Sequence, residues 1–264
     1  MRGPCRSQRT TSFTKEVSPV GYTIYPLLLG EVEVDYSFLV WQTNCGQATY
    51  VPATAFLILG ADRPVLVDAG FQSPERVKAY SGLNARQAPD QTLEAQLGRH
   101  NLRPEDIGYL IHTHLHLDHC GLDYKLTNAR IFVQRRELQY AAAPLFPVAF
   151  YDRLDIARLV NDLWNQVELL DGDAEILPGI RTVVTGGHTP AHQMVYVELD
   201  SGRAILTGDA AYIVEMNVRQ QIPFGYYINL EEVMAALKRI AREGRYILPT
   251  HDAEVHRLYA GGLK

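Results

Sequence analysis

The stretch from His112 to His119 constrains this chain more than any other. It reads His112, Thr113, His114, Leu115, His116, Leu117, Asp118, His119, and it follows the apolar run Tyr109-Leu110-Ile111. Three imidazoles and a carboxylate therefore fall between His114 and His119, at the point where a strand passes into a loop. Burying four such groups without a partner is costly. A metal ion removes the cost, because neutral imidazole and carboxylate are good donors to zinc and similar ions. A chance cluster left in solvent is the competing reading, and three later segments argue against it.

Those segments are Gly186-Gly187-His188-Thr189-Pro190-Ala191-His192, Leu206-Thr207-Gly208-Asp209 and Leu248-Pro249-Thr250-His251-Asp252. In each, a His or Asp stands just past an apolar strand-like run. If these strands end at one edge of the molecule, five His and two Asp converge, enough for two ions sharing a bridging ligand. Taken singly, His188 or Asp209 would more often be a loop or capping residue. Their common placement after strands is what favours the site.

The rest of the chain supplies a frame. Residues 55–60 and 65–68 read as two strands joined by a turn at 61–64. Residues 92–100 have helical spacing, with Leu93 and Leu97 on one face. A buried strand is expected over 107–111, another over 129–134, and a helix over 135–143 ended by Pro144. The second half begins near Val167, with short strands over 180–185, 194–199 and 204–207. An amphipathic helix follows over 230–243, stopped by Gly244, and a last strand over 246–248. Two β-rich halves, each with its own helices, predict two mixed sheets packed face to face with helices outside: an α/β (α+β) protein of αββα sandwich type. With no linker or repeat, the 264 residues read as one domain. Residues 1–17, rich in Arg, Ser and Thr, read as a flexible tail without the apolar centre of a secretion signal.

Composition excludes some functions. A net charge of −5 argues against a nucleic-acid surface. No apolar run approaches the roughly 18 residues needed to cross a bilayer. Three widely spaced cysteines, Cys5, Cys45 and Cys120, do not make a disulfide framework, so a reducing compartment, the cytoplasm, is expected.

Taken together, His114-x-His116-x-Asp118-His119, the His188 segment, Gly208-Asp209 and the late His251 resemble the metallo-β-lactamase fold superfamily, from about Tyr22 onward. Val67-Asp68-Ala69-Gly70 resembles its acidic strand-end motif, whose Asp supports the metal loop without binding metal. The resemblance implies that His114, His116 and His188 bind one divalent ion, that Asp118, His119 and His251 bind a second, and that Asp209 bridges them. Zinc is the expected metal, while iron, cobalt and manganese suit similar donors. His112 is expected to be buried and hydrogen-bonded, His192 to brace the His188 loop, and Cys120 to pack. Paired ions activate a bridging water as the nucleophile near neutral pH, and Asp118 would shuttle its proton.

Within the superfamily the chain looks most like the N-acyl-homoserine lactone lactonases. Tyr212, three residues after Asp209, matches a tyrosine that hydrogen-bonds the substrate there, and residues 133–138 and 169–180 resemble family segments. The resemblance thus implies a lactone-opening hydrolase with Asp118 and Tyr212 as catalytic residues, a small lactone as substrate and a homodimer as its assembly. The chain departs from that family at Gly187, at Ala191 and in the aromatic segment 221–227. Tyr36, Phe38, Trp41 and Tyr50, with Phe146, Phe150, Tyr151 and Trp164, suggest an apolar pocket for an acyl chain or a ring.

Other classes share parts of the motif. Hydrolysis of another cyclic ester or cyclic amide, or of a thioester in the manner of glyoxalase II, keeps all seven ligands. The β-lactamases proper usually carry Cys where Asp209 stands. A related nuclease would want a basic surface, and a persulfide dioxygenase-like protein would use a single iron. A binding module descended from an enzyme would be expected to have lost ligands.

Overall fold

The strand-forming runs of the first half assemble into one sheet whose edges come from segments with no clear strand signature. The computed structural model describes residues 21–145 and 150–264; the expected tail and Phe146 lie outside them. Strands β1 (Thr23–Asp35), β2 (Ala48–Leu59), β3 (Val65–Val67), β4 (Ala85–Arg86), β5 (Tyr109–Ile111), β6 (Arg130–Gln134) and β7 (Val167–Leu170) form a seven-stranded sheet in the order β4-β1-β2-β3-β5-β6-β7. Strands β8 (Ala174–Leu177), β9 (Ile180–Val184), β10 (Gln193–Leu199), β11 (Gly202–Gly208) and β12 (Tyr246–Pro249) form the second sheet, in the order β12-β11-β10-β9-β8. Both sheets are mixed. In the first, β3, β5, β6 and β7 run parallel and β1, β2 and β3 antiparallel.

Side-chain alternation sorts the core into layers, since successive residues of a strand point to opposite faces. Phe56, Ile58, Val65 and Val67 of the first sheet meet Val195, Val197, Leu206 and Leu248 of the second. Their neighbours Ala55, Leu57 and Leu66 face the other way and pack under helices through Leu93, Leu97, Leu138 and Leu159. On the second sheet Met194, Tyr196 and Ile205 are covered by Val233, Leu237 and Ile240 of the helix Leu230–Glu243. The molecule is therefore an αββα sandwich. Asn229 caps that helix by accepting from the amides of Glu231 and Glu232.

Two features differ from the sequence reading. The long strand β1 is interrupted by a bulge between Leu28 and Glu31. Gly30 stands there at φ +125°, where a Cβ would lie 2.5 Å from the Phe71 ring, so the bulge needs glycine. Val167–Leu170, read as the start of the second half, pairs with β6 and closes the first sheet instead.

The loops that follow β3, β5, β10's leading turn, β11 and β12 gather at one edge of the sandwich. Among the described residues no helix is long and apolar enough to cross a membrane.

Candidate metal centre

The loop after β5 is held by the residue that ends β3. Asp68, at φ +59°, is buried. Its carboxylate accepts from the Thr113 amide at 2.8 Å, the Thr113 hydroxyl at 2.8 Å and His119 Nδ1 at 2.8 Å. Burial would raise the Asp68 carboxyl, but the imidazoles of His119 and His112 outweigh it and hold it at about 2. Asp68 thus stays an anion that fixes both the loop and the His119 ring.

The hydrogen bonds on the outer nitrogens orient the histidines. His188 Nδ1 donates to the Tyr226 carbonyl at 3.0 Å and His251 Nδ1 to the Pro52 carbonyl at 2.7 Å. A carbonyl only accepts, so each Nδ1 carries the proton and each Nε2 offers a lone pair. His119 is set the same way by Asp68. The Thr113 hydroxyl gives its proton to Asp68 and accepts from His114 Nδ1 at 3.1 Å. Four rings therefore aim an unprotonated Nε2 at a common centre, and His116 aims Nδ1.

These atoms fall into overlapping groups. His116 Nδ1 lies 3.0 Å from His114 Nε2 and 3.1 Å from His188 Nε2. Asp118, His119 and His251 make a second cluster, with Asp118 Oδ2 3.6 Å from His251 Nε2 and 3.9 Å from His119 Nε2. Asp209 stands between: Oδ2 is 3.3 Å from His188 Nε2, while Oδ1 is 3.3 Å from His119 Nε2 and 3.2 Å from His251 Nε2. All seven residues singled out in the sequence are brought together.

The donor set fits metal ions. Nitrogens bound tetrahedrally at about 2.0–2.1 Å stand roughly 3.4 Å apart, close to the spacings here. His119 Nε2 and Asp209 Oδ1 are buried without a hydrogen-bond partner among the described residues, a cost of about 1–3 kcal/mol for each group that an ion would relieve. Burial pushes His114 and His116 well below the ordinary imidazole range, which keeps them neutral.

The remaining polar residues brace this set. Both His192 nitrogens are engaged: Nε2 accepts from the Asp209 amide at 3.0 Å, and Nδ1 meets the Thr185 hydroxyl at 2.8 Å. His192 therefore ties the His188 loop to the turn after β11, and burial pushes it down to about 3. That turn needs Gly208, at φ +51°, where a Cβ would lie 2.6 Å from Thr113 and 2.8 Å from the His192 ring. His112 is buried 2.9 Å from Asp123. Burial opposes its charge, but Asp123 and Asp68 prevail and raise it to about 9. The Cys120 thiol points at the carbonyls of Leu115 and His116.

Tyr212 closes one side. Its hydroxyl donates to Asp209 Oδ2 at 2.7 Å, and its ring stacks on His251 with centroids 5.3 Å apart. Burial, with Asp209 beside it, raises the phenol well above its usual range, so it remains a proton-bearing donor.

A cleft opens from Asp118, Asp209 and Tyr212. Of the aromatics expected at the pocket, Phe38 and Phe150 line it, joined by Tyr226 from the segment 221–227, whereas Trp41 and Trp164 are exposed. The rest of the wall is aliphatic: Val32 and Val34 from β1, Val51 from β2, Val77 from the helix Pro74–Ser81, then Leu83 and Leu117. Sequence reasoning missed this wall, although Val32 and Val34 already showed the alternation of a strand.

The sequence profile of the metallo-β-lactamase superfamily matches residues 48–251, and the chain belongs to that superfamily. Among curated proteins it is similar to the N-acyl homoserine lactonase AiiA of Bacillus thuringiensis subsp. kurstaki, 29% identical over 246 residues that span 88% of this chain and 93% of that one. It is also similar to the N-acyl homoserine lactonase AttM of Azorhizobium caulinodans, 32% identical over 178 residues, 62% of this chain and 65% of that one. A solved N-acyl homoserine lactone hydrolase with N-hexanoyl-L-homoserine bound at its catalytic metal centre matches with a TM-score of 0.75 at 26% identity, over 91% of this chain and 97% of the other.

Proposed function

We propose that this protein is a metal-dependent lactonase that opens the ring of an N-acyl-homoserine lactone or a related small lactone. The observation that carries the reading is the Asp209 carboxylate. Its two oxygens face two different histidine clusters, and one of them also holds the Tyr212 hydroxyl. His114, His116 and His188 would hold one ion, Asp118, His119 and His251 the other, with Asp209 between them and zinc as the metal best suited to these donors. Bound there, two divalent ions supply an activated water near neutral pH and polarise the substrate carbonyl.

The chain's own residues do the rest. Asp118 is the least buried of the acidic pair, with 18% of its side chain exposed against 5% for Asp209. It faces the cleft, where it can accept a proton from water and return it to the departing alkoxide. The Tyr212 hydroxyl, a neutral donor at the rim of the site, is placed to turn from Asp209 to a substrate oxygen as negative charge develops there. The aliphatic wall excludes water and suits a flexible acyl chain. Ser81 does not spoil it, because its hydroxyl is bound to the Val77 carbonyl at 2.8 Å and accepts from the Leu83 amide at 3.2 Å. The similarity to AiiA and AttM supports the same substrate class.

We further read residues 1–264 as one metallo-hydrolase domain that works in the cytoplasm, a location consistent with Cys45 and Cys120, which are unpaired among the described residues, and as a homodimer by analogy with such lactonases. The test of function is proton release in weak buffer across short- and long-chain acyl-homoserine lactones, γ-butyrolactone, an aromatic lactone, a cyclic imide and a glutathione thioester, with metal measured on the same sample. Fast opening of the acyl-homoserine lactones with two ions per chain is expected. Turnover of the imide or thioester alone would discard the lactone assignment.

A further inference from the structure

Glu137 lies in the helix Arg135–Ala142, outside every candidate ligand group, and is buried with 1% of its surface exposed. A carboxyl group in such a place needs donors, and four reach it. Oε1 accepts from the Leu115 amide at 3.3 Å and the Tyr151 hydroxyl at 3.0 Å. Oε2 accepts from the Thr189 hydroxyl at 2.7 Å and the Ala191 amide at 3.3 Å. The first oxygen thus grips the backbone between His114 and His116. The second grips the loop that carries His188. Tyr151 adds a third tie, since its ring packs against His116 with centroids 4.7 Å apart at 61°.

One side chain therefore joins two loops that come from different sheets. The atoms that must close on one centre, His114 Nε2, His116 Nδ1 and His188 Nε2, sit on those same loops. None of the four donors belongs to the loops that bear Asp209 and His251, and the contact to the 112–120 loop falls at its His114–His116 end. We propose that Glu137 is a positioning residue for the His114–His116–His188 site, setting the separation of its two loops and hence its metal affinity, with little influence on the Asp118–His119–His251 site. This rests on the reading that those two clusters each hold an ion.

The test separates the sites. In a His251→Ala background the first site is read alone, and in a His188→Ala background the second. Zinc affinity is measured in both by competition with a chromophoric chelator, with and without Glu137→Gln, which keeps the volume of the side chain but loses one acceptor. Glu137→Asp, which keeps the charge and withdraws it by one methylene, gives the same comparison if the glutamine variant does not fold. The expected result is a loss of about 10- to 100-fold in the His251→Ala background and less than about threefold in the His188→Ala background. Equal losses in both, or none in either, would overturn the positioning role. A parent protein that binds no zinc would instead refute the metal reading on which it rests.

Discussion

The Tyr212 hydroxyl stands 2.7 Å from Asp209 Oδ2, the same oxygen that lies 3.3 Å from His188 Nε2. The phenol thus touches the inner edge of the metal centre while its ring lines the cleft. A group in that position is placed to reach a substrate and stands outside the candidate ligand groups.

Tyr212→Phe is expected to lower kcat for lactones by about 100-fold, the usual cost of losing one donor to a developing oxyanion. Metal content should stay at the parent level. Steady-state rates and metal analysis on one preparation check it, and an unchanged rate would remove Tyr212 from the chemistry.

Asp209→Asn should act differently. The amide removes the charge that the His119, His188 and His251 rings face and can offer only one oxygen, so the link between clusters is lost. The expected outcome is fewer than two ions per chain and a fall in lactone turnover of at least about 100-fold. Normal metal content with a normal rate would contradict the bridging role.

The candidate site was legible in the sequence because its candidate ligands sit directly after strands, where the chain must leave the sheet and side chains from several strands meet. The helix Leu230–Glu243 was legible too, since its apolar spacing and its Gly244 stop agree, and the structure adds the Asn229 cap. What escaped lacked such agreement. In β1, Pro26 and Gly30 break the alternation; the bulge accommodates Gly30, while Pro26 pairs in regular register with Phe56. The helix Pro74–Ser81 has a Ser73 cap and a first-turn proline but buries only Val77, so no apolar stripe marked it. The placement of Val167–Leu170 depends on parallel pairing with β6, a partner more than thirty residues earlier, which no local pattern encodes. Glu137 read as an ordinary helix residue because its importance comes from donors at Leu115, Thr189 and Ala191. Two of the missed segments give the cleft wall Val32, Val34 and Val77, so the sequence spoke more clearly about the chemistry than about the shape of the substrate.

Asp155 gives the protein a pH dependence away from the metal centre. Burial raises its carboxyl to about 7, although it accepts from Gln72 at 2.7 Å and lies 3.3 Å from the Arg158 guanidinium. Between its unfolded value near 3.8 and about pH 7, the folded protein holds a proton that the unfolded chain has released. This contribution to stability is therefore complete below the lower value and is lost as pH rises through 7. Asp155→Asn should remove the loss, making the variant more stable than the parent at pH 8, by on the order of 3 kcal/mol, but not at pH 4. Urea unfolding of both proteins at several pH values measures it, and parallel stability profiles would refute it.

The aliphatic wall makes a prediction about substrate size. Val77 and Leu83 line the cleft together with Val32, Val34 and Val51, while Asp118 and Tyr212 stand at the metal centre. With the lactone ring at the metal centre, an acyl chain laid along the aliphatic wall meets these residues, and a long chain reaches further along them than a short one. Leu83→Trp would fill that space without touching a metal ligand. It is expected to raise KM for a ten-carbon acyl-homoserine lactone by about tenfold or more, the equivalent of losing roughly two buried methylenes. KM for a four-carbon substrate, kcat for both and metal content should change less than about twofold. Equal effects on both chain lengths would mean that the acyl chain leaves the site by another route, past Phe38, Phe150 and Tyr226.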